Sequence, residues 1–116
     1  AGSAGLKHMQ RNVFAFAMKH CAVMVGNSSA GIIEAASFST PVVNVGDRQR
    51  LRERSANVVD VGTDVEAICS AVAVALTTGK APCDNKYGDG KAAARIVNLL
   101  TTLVLNRSVL DKSNSY

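Results

Sequence analysis

The stretch Val23–Arg48, VMVGNSSAGIIEAASFSTPVVNVGDR, decides how this chain is read. Ala22–Val25 is a short apolar run with β-branched members, and PVVNV from Pro41 is another, so both are expected to be strands. Pro41 fits the first position of its strand, where a missing N–H is tolerated. Between the runs, Gly26-Asn27-Ser28-Ser29 has the composition of a tight turn, and Ser29 to Phe38 is expected to be a helix. Strand, helix and strand in that order imply a right-handed βαβ unit with parallel strands. The turn and the Gly46-Asp47-Arg48 loop then follow the carboxyl ends of neighbouring strands, the edge of an open α/β sheet where ligands collect.

That edge carries chemistry suited to an anion. A helix N-terminus leaves backbone N–H groups unpaired and points positive partial charge at whatever sits above the turn, most often a phosphate. Gly26 lets the backbone turn tightly, Asn27 continues the turn, and Ser28 or Ser29 can cap the helix or donate a hydroxyl to the anion. Neither a P-loop nor a GxGxxG motif is present, so the turn by itself is a weak signal. Glu34 sharpens it. With Ser28 or Ser29 as N-cap, a capping-box partner would fall at Gly31 or Ile32, which leaves Glu34 another task in a segment otherwise apolar or small. It can accept two hydrogen bonds from a ribose diol while phosphate sits at the helix end. Equally, it can meet a neighbouring arginine or point to water.

Three further segments give a family resemblance. GNSSAGIIEAASFSTPVVNVGDRQR, then ANVVDVG, then KYGDGKAAARI, resemble in order the C-terminal region of the UDP-N-acetylglucosamine 2-epimerases, most closely the hydrolysing, sialic-acid-pathway branch. The similarity runs from about Phe14 to Leu100. It implies a partial Rossmann-like α/β unit of the GT-B C-terminal type, in three layers with about three parallel strands and flanking helices. In that family the serine pair, the helix glutamate and the arginine of the Asp-Arg-Gln loop bind UDP. Those roles fall on Ser28, Ser29, Glu34 and Arg48, with Gly26 and Asn27 forming the turn. The expected ligand is UDP or UDP-N-acetylglucosamine. No cofactor or metal is implied.

The resemblance also marks what the chain lacks. Family chemistry eliminates UDP and hydrates the resulting glycal, which needs a base for the C2 proton and an acid for the leaving diphosphate. The family's catalytic acids and histidine lie upstream of the matched region, and neither His8 nor His20 stands in a matching context. The expectation is a UDP cradle without an acid–base pair, inactive alone. Two other readings share the evidence: a non-catalytic nucleotide-binding or self-associating truncated module, and part of a GT-B glycosyltransferase. GDRQR and YGDG favour the epimerase. Leu51 stands where relatives tend to have glycine, and Ala36 where proline is frequent.

Composition sets the outer bounds. At 116 residues and 47% hydrophobic content the chain suits one small domain with its own core. A net charge of +4 favours anionic partners, and the excess is local: Arg48, Arg50, Arg52 and Arg54 alternate. No aromatic residues interleave with them, which argues against nucleic acid and for a solvated loop with one arginine on a diphosphate. Cys21, Cys69 and Cys83 form no CxxC pair, and Cys21 and Cys69 read as small buried hydrophobes in a reduced, cytoplasmic protein. No apolar run is long enough to span a membrane.

Outside the central stretch, residues 1–10 lack periodicity and are expected to be disordered or a tag remnant. Residues 11–106 form the expected domain, and 107–116 a polar tail. Arg11–His20 reads as a helix with Val13, Phe14, Ala17 and Cys21 inward and His20 at its negative end. Asn57–Val61 is expected to be a third strand. Thr63 and Glu66 then form a capping box for a helix with Val65, Ile68, Cys69, Val72 and Leu76 inward, stopped by Gly79. Asp89 is the expected N-cap of a last helix that faces Ala93, Ile96, Val97, Leu100, Leu103 and Val104 inward. So few strands leave the edge at Ala22–Val25 unpaired, and a homo-oligomer through that edge or through swapped elements is expected.

Overall fold

The structure, a computed structural model, describes residues 2–104. The expected tail at 107–116 lies outside them. Elements run α1 (Arg11–His20), β1 (Met24–Gly26), α2 (Ser29–Ile33), a 3-10 turn (Ala35–Phe38), β2 (Val42–Val45), β3 (Val58–Val61), α3 (Val65–Thr78) and α4 (Ala92–Thr102). The three strands form one parallel sheet in the order β1-β2-β3. Met24 pairs with Val42 and Val42 with Val58, so the strands' carboxyl ends align and β2 is hydrogen-bonded on both sides. This is the α/β unit of parallel strands and flanking helices that the motif order implies.

The core sits where α1, α2 and the 3-10 turn meet β2. Met18, Ala35 and Val42 are buried together, and Phe14, Met24, Phe38 and Val58 close around them. Gly31 makes that contact close: a Cβ there would stand 3.0 Å from Val42 Cγ1. The inward face of α1 differs from the expected one. Met18 is its buried residue and Phe14 is half-buried, while Val13 and Ala17 face water. Thr40, fully buried, ties down the end of α1 by donating Oγ1–H to the Met18 carbonyl at 2.7 Å. Lys80 Nζ donates to Thr40 Oγ1 at 2.9 Å and to the Lys19 carbonyl. Free carbonyls at the end of α1 thus gain partners from a loop distant in sequence.

On the other side, α3 rests on β2 and β3. Its half-buried face is Ile68, Ala71, Val72 and Ala75, and Val65, Cys69 and Leu76 are exposed, contrary to expectation. Two small alanines share that contact with Ile68 and Val72. A cavity of about 320 Å³ opens there between Pro41, Val59, Ala71, Val74 and Pro82. Asp64, not Thr63, caps α3 by accepting the Ala67 N–H at 2.9 Å, and Gly79 ends the helix. Asp89 likewise stands before the N-cap of α4, which is Lys91; its carboxylate accepts the Lys91 N–H at 3.0 Å and pairs with Arg95. The apolar side chains of α4 are left open among the described residues: Ile96, Val97, Leu99 and Leu100 are all more than half exposed.

Candidate functional site

At the carboxyl edge of the sheet, β1 ends in Gly26 with φ +143°, a backbone region that side chains rarely adopt. A Cβ there would meet nothing within 4 Å, so the turn, not crowding, calls for glycine. The chain then passes Asn27 to Ser28, the N-cap of α2, whose Oγ accepts the Ala30 N–H at 3.3 Å. Ser28 and Asn27 are exposed and Ser29 is half-buried.

The helix expected from Ser29 to Phe38 runs only from Ser29 to Ile33. At Glu34 it gives way to the 3-10 turn, which ends at Ser39 in the left-handed region with φ 52°. The break has a partner from the far end of the chain. Asn85 Nδ2 donates to the Ile33 carbonyl at 2.9 Å and to Ser37 Oγ at 2.7 Å, and Asn85 Oδ1 accepts the Tyr87 N–H. Asn85, the residue just before the KYGDG segment, therefore braces the helix from outside. So short a helix has little macrodipole, and the anion chemistry of this turn rests on local N–H and hydroxyl groups.

Glu34 is less than a third exposed and forms an ion pair with Arg11, at the start of α1. The Arg11 guanidinium is held above its ordinary range by the hydrogen bond to Glu34 and by its charge. Of the uses open to Glu34, the structure shows the arginine partner, from a residue distant in sequence.

The loop after β2 arrives on the same edge. It carries Asp47, Arg48 and Arg50 into water and buries Gln49, which is 6% exposed. Gln49 Nε2 donates to the Asn27 carbonyl at 2.9 Å, and Gln49 Oε1 accepts from Arg52 Nε at 2.8 Å. This contact brings the Ser28–Ser29 turn and the Arg48 loop together. Behind it, Arg54 Nη1 donates to the Gln49 carbonyl at 2.8 Å, and its Nε and Nη2 reach Asp60 on β3. Asp60 also accepts from Asn44 Nδ2 of β2 at 2.6 Å. Arg54 is the chief cause that holds the Asp60 carboxyl below its ordinary range, and Asn44 adds to it. Arg48 and Arg50 make no side-chain hydrogen bond or ion pair among the described residues, so the arginines divide into two bound inward and two offered outward.

Gln49, Asn44 and Asp60 were not singled out by sequence. The signal for Gln49 was present: it is the one uncharged polar residue, with a donor and an acceptor end, in the charged stretch Asp47–Arg54. Among the described residues no group of His, Cys, Asp and Glu is placed to hold a metal ion. No helix among them is long and apolar enough to cross a membrane.

A sequence profile of the UDP-N-acetylglucosamine 2-epimerase family matches residues 4–101. The chain belongs to that family. The match extends beyond both ends of the Phe14–Leu100 region that carries the motifs. Among the similar proteins, a Legionella pneumophila UDP-N,N'-diacetylbacillosamine 2-epimerase (hydrolyzing) is 49% identical over 111 residues, 96% of this chain and 29% of that protein. A Neisseria meningitidis UDP-N-acetylglucosamine 2-epimerase is 35% identical over 77 residues, 66% of this chain and 20% of that one. A Campylobacter jejuni GDP/UDP-N,N'-diacetylbacillosamine 2-epimerase (hydrolyzing) is 51% identical over 43 residues, 37% and 11% respectively. The chain thus spans less than a third of the length of these relatives.

Proposed function

We propose that this chain is the UDP-binding portion of a UDP-N-acetylglucosamine 2-epimerase of the hydrolysing kind, which converts UDP-N-acetylglucosamine to N-acetylmannosamine and UDP. The observation that carries the reading is the contact between Gln49 and Asn27, which sets the serine turn and the exposed Arg48 on one sheet edge. In this reading the diphosphate sits above Gly26, Asn27, Ser28 and Ser29 with Arg48 against it. The ribose diol takes the place of Arg11 at the Glu34 carboxylate. Neither His8 nor His20 stands in a context that matches the family's motifs, so the reading assigns no acid–base pair to this chain and no turnover to it alone. The 96% coverage by a relative named for diacetylbacillosamine favours a second choice of sugar, with the same nucleotide site.

Calorimetric titration of the chain with UDP, with uridine as the comparison, tests the cradle. UDP is expected to bind more tightly than uridine, and Glu34→Ala to weaken both through the ribose. No binding at millimolar UDP refutes the reading, and epimerase turnover by the purified chain refutes its inactivity.

A further inference from the structure

Four arginines alternate through the GDRQRLRER segment, and in the structure they divide around Gln49, with Arg52 and Arg54 bonded to it and Arg48 and Arg50 exposed. Gln49 alone in the Arg48–Arg50 triplet turns inward. Both ends of its amide are used: the donor on the Asn27 carbonyl of the serine turn, the acceptor on Arg52. Its own carbonyl is gripped by Arg54, which is anchored on Asp60 of β3. The segment is therefore fastened at two points, to the turn after β1 by a side-chain amide and to β3 by an ion pair. Buried as it is, Gln49 has no water to replace either partner. The residues on either side of it point to solvent, so fixing Gln49 fixes the spacing between the Arg48 and Arg50 guanidinium groups and the Ser28–Ser29 turn.

We propose that Gln49 is a positioning residue: a latch that holds the arginine loop at the distance from the serine turn at which both sides grip one nucleoside diphosphate. Arg48 and Arg50 meet the diphosphate, whereas Arg52 and Arg54 serve the latch. The proposal rests on the UDP-binding reading above. It differs from a merely structural role in a definite way, because the latch acts on the diphosphate side of the ligand and not on the nucleoside side. A hydrogen bond also orients the loop only while both partners are present, so removing the amide frees turn and loop together.

The test compares the unaltered chain with Gln49→Met, which keeps length and apolar bulk and removes both polar ends. Arg52→Ala is the second arm, since it removes the other partner of Gln49 and leaves the contact to Asn27. Amide hydrogen exchange is followed at residues 26–29 and 46–50, and UDP and uridine affinities are measured for each protein by titration. Gln49→Met is expected to raise exchange in both segments together. It should weaken UDP about tenfold with uridine unchanged, a loss on the scale of one hydrogen bond to a charged or polar group. Arg52→Ala should shift exchange and UDP affinity in the same direction by less, since the Asn27 contact remains. Unchanged exchange in Gln49→Met, or equal loss of UDP and uridine affinity, overturns the latch. No UDP binding by the unaltered chain overturns instead the reading beneath it, and the proposal falls with that reading.

Discussion

Gly31→Ala sets two effects of known size against each other. Alanine is a better helix former than glycine by about 1 kcal/mol, so a surface position in α2 would gain stability. Gly31 is not on the surface: it is buried against β2, and an added Cβ would lie 3.0 Å from Val42 Cγ1 and 3.7 Å from the Met24 sulfur. The sulfur is at ordinary contact distance and the Val42 methyl is not. Val42 has little freedom to yield, because its χ1 is stiff and its strand is paired on both sides. Its other neighbours, Met18 and Ala35, are themselves buried. Overpacking a well-filled core costs about 1–3 kcal/mol, which exceeds the propensity gain. The expected net loss is about 1 kcal/mol, or roughly 4–8 °C in Tm for a domain of this size. Thermal and urea unfolding of Gly31→Ala, Val42→Ala and the double variant check it. Removing the Val42 methyls makes room for the new Cβ, so the double variant should be more stable than the sum of the singles by about 0.5 kcal/mol or more. A Tm for Gly31→Ala at or above that of the unaltered chain, or strict additivity, refutes the close-packing argument.

The Arg54–Asp60 pair gives a pH signature. The Asp60 carboxyl titrates below its ordinary value when folded, so its contribution is fully present above about pH 4 and is lost as pH falls through the folded value. The difference in urea midpoint between the unaltered chain and Asp60→Asn should be level from neutral pH to about pH 5 and shrink in stronger acid. A difference that persists unchanged in acid contradicts the pairing. At the other edge of the sheet, β1 carries the half-exposed Val25 and an edge that pairs with no strand among the described residues, and the proposed partner there is a second copy of the chain. Light scattering should give the mass of a dimer, with Val25→Lys shifting it toward monomer, and a monomer for the unaltered chain at high concentration removes the proposal.

The strands and their common edge were legible in sequence because they depend on local composition and chain order. Two apolar runs around a Gly-Asn-Ser-Ser turn have one short-range solution, and the handedness of the crossover places the Arg48 loop beside it. The Ser28 cap is local too. The break at Glu34 was not legible, since nothing between Ile32 and Phe38 marks a stop and the partner that stabilises it, Asn85, comes from beyond α3. Thr63 with Glu66 and Asp64 are rival caps one residue apart, and the carboxylate took the position. In α3 Ile68 and Val72 face the sheet as read, and alanines at 71 and 75 complete the contact in place of Val65, Cys69 and Leu76. The apolar face of α4 reads as inward from its periodicity, and periodicity says which residues share a face without saying what covers it.

The same limit explains the site. Residue type and spacing identified a set of groups able to hold a nucleotide, and they could not say which groups were already engaged within the chain. Glu34 is the clearest instance: in sequence its carboxylate is open to a ribose, an arginine or water, and in space it is held by Arg11 from another helix. Arg54 is the converse, a cation that reads as available and is committed to Asp60 and to the Gln49 carbonyl. A charged group in a binding loop therefore counts as a ligand donor only after its internal partners are known. By that standard Arg48 and Arg50 qualify as they stand, and Glu34 qualifies at the cost of the Arg11 pair. UDP binding should accordingly be tighter in Arg11→Ala than in the unaltered chain if the ribose uses Glu34, and unchanged if it does not.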